Sequence, residues 1–127
     1  MRWRNVNPPL FFSDIPKNAK SLALIMDDPD APMGTFVHWV LYNIPPLVSE
    51  IKEDSIPQEV SVGKNGAGKD NYIGPCPPSG THRYFFKLYA LDSLLNFDTS
   101  PDKKAVEQAM ERHILAKTEL IGLYNRS

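Results

Sequence analysis

The chain has 127 residues, 42% of them apolar and 23% charged, with a net charge of −1. That is enough chain for one domain with a real core, spanning residues 1–127, and its near-neutral balance excludes an electrostatic nucleic-acid surface. A single cysteine, Cys76, excludes an internal disulfide and a cysteine metal knuckle; with no bilayer-length apolar run and no apolar leader after Met1, a cytoplasmic protein without stable membrane insertion is expected.

Twelve prolines spread along the chain favour ordered turns over helices. Asn7-Pro8-Pro9 reads as a turn entering a short strand at Leu10-Phe11-Phe12, and residues 13–19 read as a further turn. Residues 21–26 (SLALIM) form a continuous apolar run of strand length, expected to be buried on both faces and to end at Asp27. Residues 36–44 (FVHWVLYNI) are aromatic and β-branched, which predicts a strand with Phe36, His38, Val40, Tyr42 and Ile44 on one face. Residues 47–71 are polar and glycine-bearing, predicting loop with a short strand near residues 59–62. Residues 82–92 (HRYFFKLYALD) predict a third strong strand, with His82, Tyr84, Phe86, Leu88 and Ala90 on one face. A helix follows, capped by Ser100 with Pro101 in its first position, carrying Val106, Met110 and Ile114 as an apolar stripe and running to about Thr118. Residues 120–124 add a last strand or turn. The fold class is mainly β, with peripheral helices.

Two segments are too particular for scaffold alone. Asp27-Asp28-Pro29-Asp30-Ala31-Pro32 precedes His38-Trp39, and Gly74-Pro75-Cys76-Pro77-Pro78 precedes His82-Arg83-Tyr84. Three carboxylates within four positions need a cation, hydrogen-bond donors or solvent. The plain alternative is a solvated acidic turn, and His38 and His82 can equally be structural histidines on strand faces. Cys76 has no activating base beside it in sequence. Taken together, histidines and backbone donors suit an anion and the aspartates suit an ammonium, so a zwitterion satisfies both halves.

The chain resembles the phosphatidylethanolamine-binding protein family, which includes the Raf kinase inhibitor proteins, and is most similar to its bacterial and archaeal branch. The matching residues are Asp28 to Pro32, Phe36 to Pro45, Gly74 to Pro78 and His82 to Phe86, with Ile114-Leu115-Ala116-Lys117 and Glu119-Leu120-Ile121-Gly122 in the tail. The resemblance implies an antiparallel Greek-key β-sandwich with a few peripheral helices. It implies an anion pocket for phosphate-like groups, lined by Asp28, Asp30, Pro32, His38, Gly74, Pro77, Pro78, His82 and Tyr84. It also implies a cis Ala31–Pro32 bond, consistent with an acidic turn that must reverse within few residues. Three departures stand out: a short segment before Val6, Ala67 where relatives often place an aromatic, and Arg112 beside His113.

The function expected is non-enzymatic: a small anionic or zwitterionic ligand in the pocket, and regulation or inhibition of a kinase or protease by contact. No cofactor, bound metal or catalytic residue is expected. Nearby aspartates are expected to raise the histidine pKa values. The alternative is a metal-assisted hydrolase using the aspartates and histidines, although no His-x-x-x-His spacing is present. The short N-terminal segment also predicts an uncovered sheet edge, and with it a homodimer.

Overall fold

The structure, a computed structural model, describes residues 7–74 and 81–125. In chain order its elements are β1 (Leu10–Phe11), β2 (Ser21–Asp28), β3 (Phe36–Ile44), β4 (Glu50–Ile51), β5 (Ser61–Val62), β6 (Thr81–Leu91), α1 (Lys103–Met110) and β7 (Ile114–Asn125). Five strands form one sheet in the order β5-β3-β2-β6-β7, and β1 pairs with β4 beside it. Every pairing is antiparallel. Because β6 returns to lie beside β2 after β3 and β5, the order β6-β2-β3-β5 is a Greek key.

Both faces of the large sheet are covered. On one, Leu22, Leu24, Met26, Trp39, Leu41 and Phe86 pack with Leu10, Ile51, Val60 and Tyr72. On the other, Ala23, Ile25, Val40, Tyr89 and Leu91 pack with Leu95 and with Val106 and Met110 of α1. β2 lies at the centre and is buried along its whole length, which is why its sequence is continuously apolar rather than alternating. No helix among the described residues is long and apolar enough to cross a membrane.

Several expectations are corrected. β2 does not end before Asp27: the ladder runs on through Asp27↔Val37 and Asp28↔Phe36, because each aspartate finds a partner on its own side. β3 does not keep one face. Its register shifts between Met26↔Trp39 and Asp27↔Val37, leaving His38 as the extra residue of a bulge. A second shift lies between Leu22↔Ile44 and Leu24↔Leu41, where Asn43 adopts a left-handed φ of 54°. The Asn43 side chain fixes that bend by donating to Leu95 O and accepting from Leu95 N, both at 2.8 Å. Val40 and Tyr42 therefore face the helix while Trp39 and Leu41 face the opposite core. β4 has no counterpart in the sequence pattern, its two residues being too few to show a period.

The helix is shorter than its sequence pattern suggests. Asp102, not Ser100, is the cap, its carboxylate accepting from Ala105 N at 2.9 Å, and Ser100 instead donates to Asp70. Val106 and Met110 are buried as expected, but α1 stops at Met110. Ile114 opens β7, whose ladder with β6 extends from Leu91↔Ile114 to Thr81↔Asn125. Helix propensity is a weak local preference, and a long cross-strand ladder overrides it. Among the described residues α1 is the one α-helix.

Candidate anion site

The central strands β3, β2 and β6 end at one edge, and their chemistry-bearing residues meet there. Asp28 comes from the end of β2, Phe36 and His38 from the start of β3, and His82 and Tyr84 from the start of β6. With the turn after β2 and the segment Ile73-Gly74, they line a cavity of about 470 Å³. The bulge at His38 is decisive. Strict alternation from Trp39 would turn residue 38 toward the helix side, whereas the extra residue places His38 edge-on to Phe36 at 5.0 Å and to Tyr84 at 5.2 Å.

Each polar group has a defined partner. His82 Nδ1–H donates to Asp28 Oδ2 at 2.7 Å, joining residues 54 positions apart. Asp28 Oδ1 accepts the Asp30 N–H at 2.8 Å, so the same carboxylate starts the turn and orients the imidazole. His38 Nδ1–H donates to Ile73 O at 2.7 Å, while Ile73 N donates to His38 O at 3.0 Å. This locks the His38 tautomer and leaves Nε2 as its remaining ring nitrogen. Burial pushes the His38 pKa below the ordinary histidine range, outweighing the Ile73 carbonyl and the nearby aspartates. The expectation that the aspartates raise it is thus corrected for His38, because desolvation penalises the imidazolium more than they favour it.

Asp28, Pro32, His38, Gly74, His82 and Tyr84 line the cavity as the sequence suggests. Asp30 does not. Its carboxylate accepts from Arg83 N, Nε and Nη2 at 2.8–2.9 Å, which pins the turn onto β6. The Arg83 hydrogen bonds hold Asp30 down to a pKa of about 2. Pro77, Pro78, Pro75 and Cys76 lie outside the described residues. The Ala31–Pro32 bond is trans, contrary to expectation. The reversal is instead spread over the Asp28–Asp30 side-chain turn, a Gly34 N to Ala31 O bond of 3.1 Å and a Gly34 φ of 103°. Sequence reading missed Phe36 and Ile73 as walls and Arg83 as the Asp30 partner. The adjacency of Arg83 to His82 on a strand was the available signal, since it puts the guanidinium on the face opposite the histidine.

A family model described as phosphatidylethanolamine-binding protein matches residues 3–125. The chain belongs to the phosphatidylethanolamine-binding protein family. It is 49% identical over 127 residues to a UPF0098 protein of Methanothermobacter thermautotrophicus, covering 96% of this chain and 84% of that one. It is 48% identical over 132 residues to a UPF0098 protein of Pyrococcus horikoshii, covering 96% of this chain and 66% of that one. Among solved structures, a putative phosphatidylethanolamine-binding protein homologue from Chlamydia trachomatis superposes with a TM-score of 0.92 at 42% identity, over 96% of this chain and 82% of that one. Escherichia coli YbcL, described as a new member of the mammalian family, superposes at 0.88 with 30% identity, over 97% and 82% of the two chains. The fold of this phosphatidylethanolamine-binding protein family member is therefore mainly β and antiparallel, as its motifs imply.

Proposed function

We propose that the cavity binds a small oxyanion, phosphate or a phosphorylethanolamine-like zwitterion, without turning it over, and that the protein regulates a partner enzyme, a kinase or protease, by contact. The observation that carries the ligand reading is the convergence of His38 and His82 on one cavity with both Nδ1 atoms already committed. Among the described residues nothing bonds to either Nε2, which leaves both for a ligand. Neutral His38 accepts a hydrogen bond from a P–OH group, and His82, held at Nδ1 by Asp28, faces a P–O⁻ with Nε2. Such a site favours the monoprotonated phosphate.

The walls support binding over turnover. Among the described residues, Thr35 brings a hydroxyl to the lining but makes no hydrogen bond to either imidazole, so it is not paired with a histidine base. Among the described residues, no three His, Cys, Asp or Glu side chains are grouped as a metal requires. Resemblance to the family supports the contact role and the classes of partner.

Calorimetric titration with inorganic phosphate and with phosphorylethanolamine tests the reading. Affinity for phosphorylethanolamine should fall as pH rises through about 6, where a phosphomonoester loses its second proton and with it the P–OH. His82→Ala and His38→Ala should each weaken binding by roughly tenfold or more. Equal affinity at both ends of that range would sink the ligand reading. Hydrolysis of phosphoesters or peptides, abolished by His82→Ala in a folded protein, would replace it with the hydrolase.

A further inference from the structure

Two residues outside the cavity, Asp30 and Arg83, close a ring of hydrogen bonds that runs through one of its histidines. Asp28 Oδ2 accepts from His82 Nδ1 at 2.7 Å, and Asp28 Oδ1 accepts from Asp30 N at 2.8 Å. Asp30 Oδ2 in turn accepts from Arg83 N at 2.9 Å, and the peptide bond from Arg83 back to His82 completes the ring. The Arg83 guanidinium adds a fork to the same carboxylate, Nε to Oδ2 at 2.9 Å and Nη2 to Oδ1 at 2.8 Å. Two aspartates on one turn thus hold two consecutive residues of β6. Asp28 and His82 form the buried end of the ring, while the Asp30 and Arg83 side chains reach solvent. Neither Asp30 nor Arg83 lines the cavity.

We infer that Arg83 is a positioning residue for the anion site: through Asp30 and Asp28 it sets where His82 Nε2 points. The assignment rests on the anion-binding reading of the cavity. Its physical basis is torsional. The terminal torsions of Asp and His have broad preferences, so hydrogen bonds decide the plane of the carboxylate and of the imidazole. Asp28 is held by a bond at each oxygen, one to the ring and one to the Asp30 backbone. The Asp30 backbone is held by its own carboxylate, which takes two of its three Arg83 bonds from the guanidinium. Without that fork the turn loses an anchor, Asp28 gains freedom to rotate, and the His82 ring moves with it. An open ion pair adds little to stability. A group that orients a ligand-binding side chain still matters to affinity, because small misorientations weaken the contact. The pair also stays closed wherever phosphate titrates, since the Arg83 hydrogen bonds keep the Asp30 pKa at about 2.

Charge and position lead to different outcomes at Asp30. A carboxylate close to an anion site opposes binding, so Coulomb repulsion alone would make Asp30→Ala bind phosphate more tightly. Loss of the ring makes it bind more weakly. At Arg83 the two effects share a sign, and Arg83→Lys separates them: it keeps the charge but cannot span both oxygens of Asp30.

Calorimetric titration with inorganic phosphate, together with nitrogen NMR of the His82 ring in the ligand-free protein, tests it. Arg83→Met removes the fork but keeps an apolar stem over the Phe85 ring, where the guanidinium now lies 5.6 Å from the centroid. Arg83→Met, Arg83→Lys and Asp30→Ala should each weaken phosphate binding by roughly tenfold. The double variant Asp30→Ala/Arg83→Met should bind no more weakly than the weaker single, because both remove one shared interaction. The His82 Nδ1 resonance should move in every variant, since it reports the bond to Asp28. Circular dichroism checks that each variant stays folded. Unchanged affinity in the variants, tighter binding by Asp30→Ala, full affinity in Arg83→Lys, additive losses in the double variant, or an unmoved His82 resonance would each overturn the positioning role and leave the anion site standing. A wild-type protein that binds no phosphate would overturn the anion site itself, and the role of Arg83 with it.

Discussion

Asp27 and Asp28 are neighbours on β2, equally buried at 1% and 3% exposure, and they do opposite things. Strand alternation points them to opposite faces. Asp27 turns to the helix side, where its Oδ2 meets Lys87 Nζ at 3.1 Å and Lys103 Nζ at 3.0 Å. Asp28 turns to the cavity, where it meets one titratable imidazole and one backbone N–H. The first carboxylate is held by two ammonium groups and ties β2, β6 and α1 together. The second is held by a partner that can change its own charge. Burial alone therefore does not mark a functional carboxylate; the chemistry of its partner and the space beside it do.

Neutralising each aspartate in turn separates the two roles, with the largest effect at Asp27. Asp27→Asn should destabilise the fold by about 2–3 kcal/mol in urea unfolding. That is below the full cost of orphaning a buried ion, because Lys87 and Lys103 retain some solvent access. Asp28→Asn should cost about 1 kcal/mol of stability but remove most of the phosphate affinity. Equal effects of the two substitutions on both readouts would erase the distinction.

Two glycines carry the same contrast through packing instead of charge. A Cβ on Gly63 would stand 2.6 Å from Pro101 O and 2.9 Å from Val40 Cγ1, on the helix side. A Cβ on Gly66 would stand 2.5 Å from the Phe36 ring, a wall of the cavity. Gly63→Ala should therefore cost about 2–3 kcal/mol with little change in ligand affinity. Gly66→Ala should cost less, about 1–2 kcal/mol, because one aromatic side chain can give way, and should weaken phosphate binding. Unfolding curves and titrations of both variants decide it.

The mildest effects are in pH. Because burial lowers the His38 pKa from 6.5, the unfolded chain takes up that proton before the folded chain does on acidification. The resulting stability is present above pH 6.5 and is lost as pH falls through the lowered folded value. His38→Gln should flatten that slope in unfolding midpoints. Asp30 acts in a lower window: its contribution is present above its ordinary 3.8 and lost as pH falls through about 2. This effect should be the smallest, since the Asp30–Arg83 pair is open to solvent.

That β2, β3 and β6 are strands is written in the primary sequence, because apolar, β-branched and aromatic runs of that length have few other ways to be buried. So is the family, through motifs that hold their order along nearly the whole chain, and with them half of the cavity residues. Which way those residues point is a matter of tertiary contacts. The bulge that turns His38 toward Tyr84 depends on β2 accepting one residue too many opposite it. The removal of Asp30 from the cavity depends on Arg83, 53 positions away. The end of α1 depends on the length of β6, which draws Ile114 and its successors into a ladder. Each of these is a choice between locally similar energies, settled by partners that proximity in sequence does not reveal.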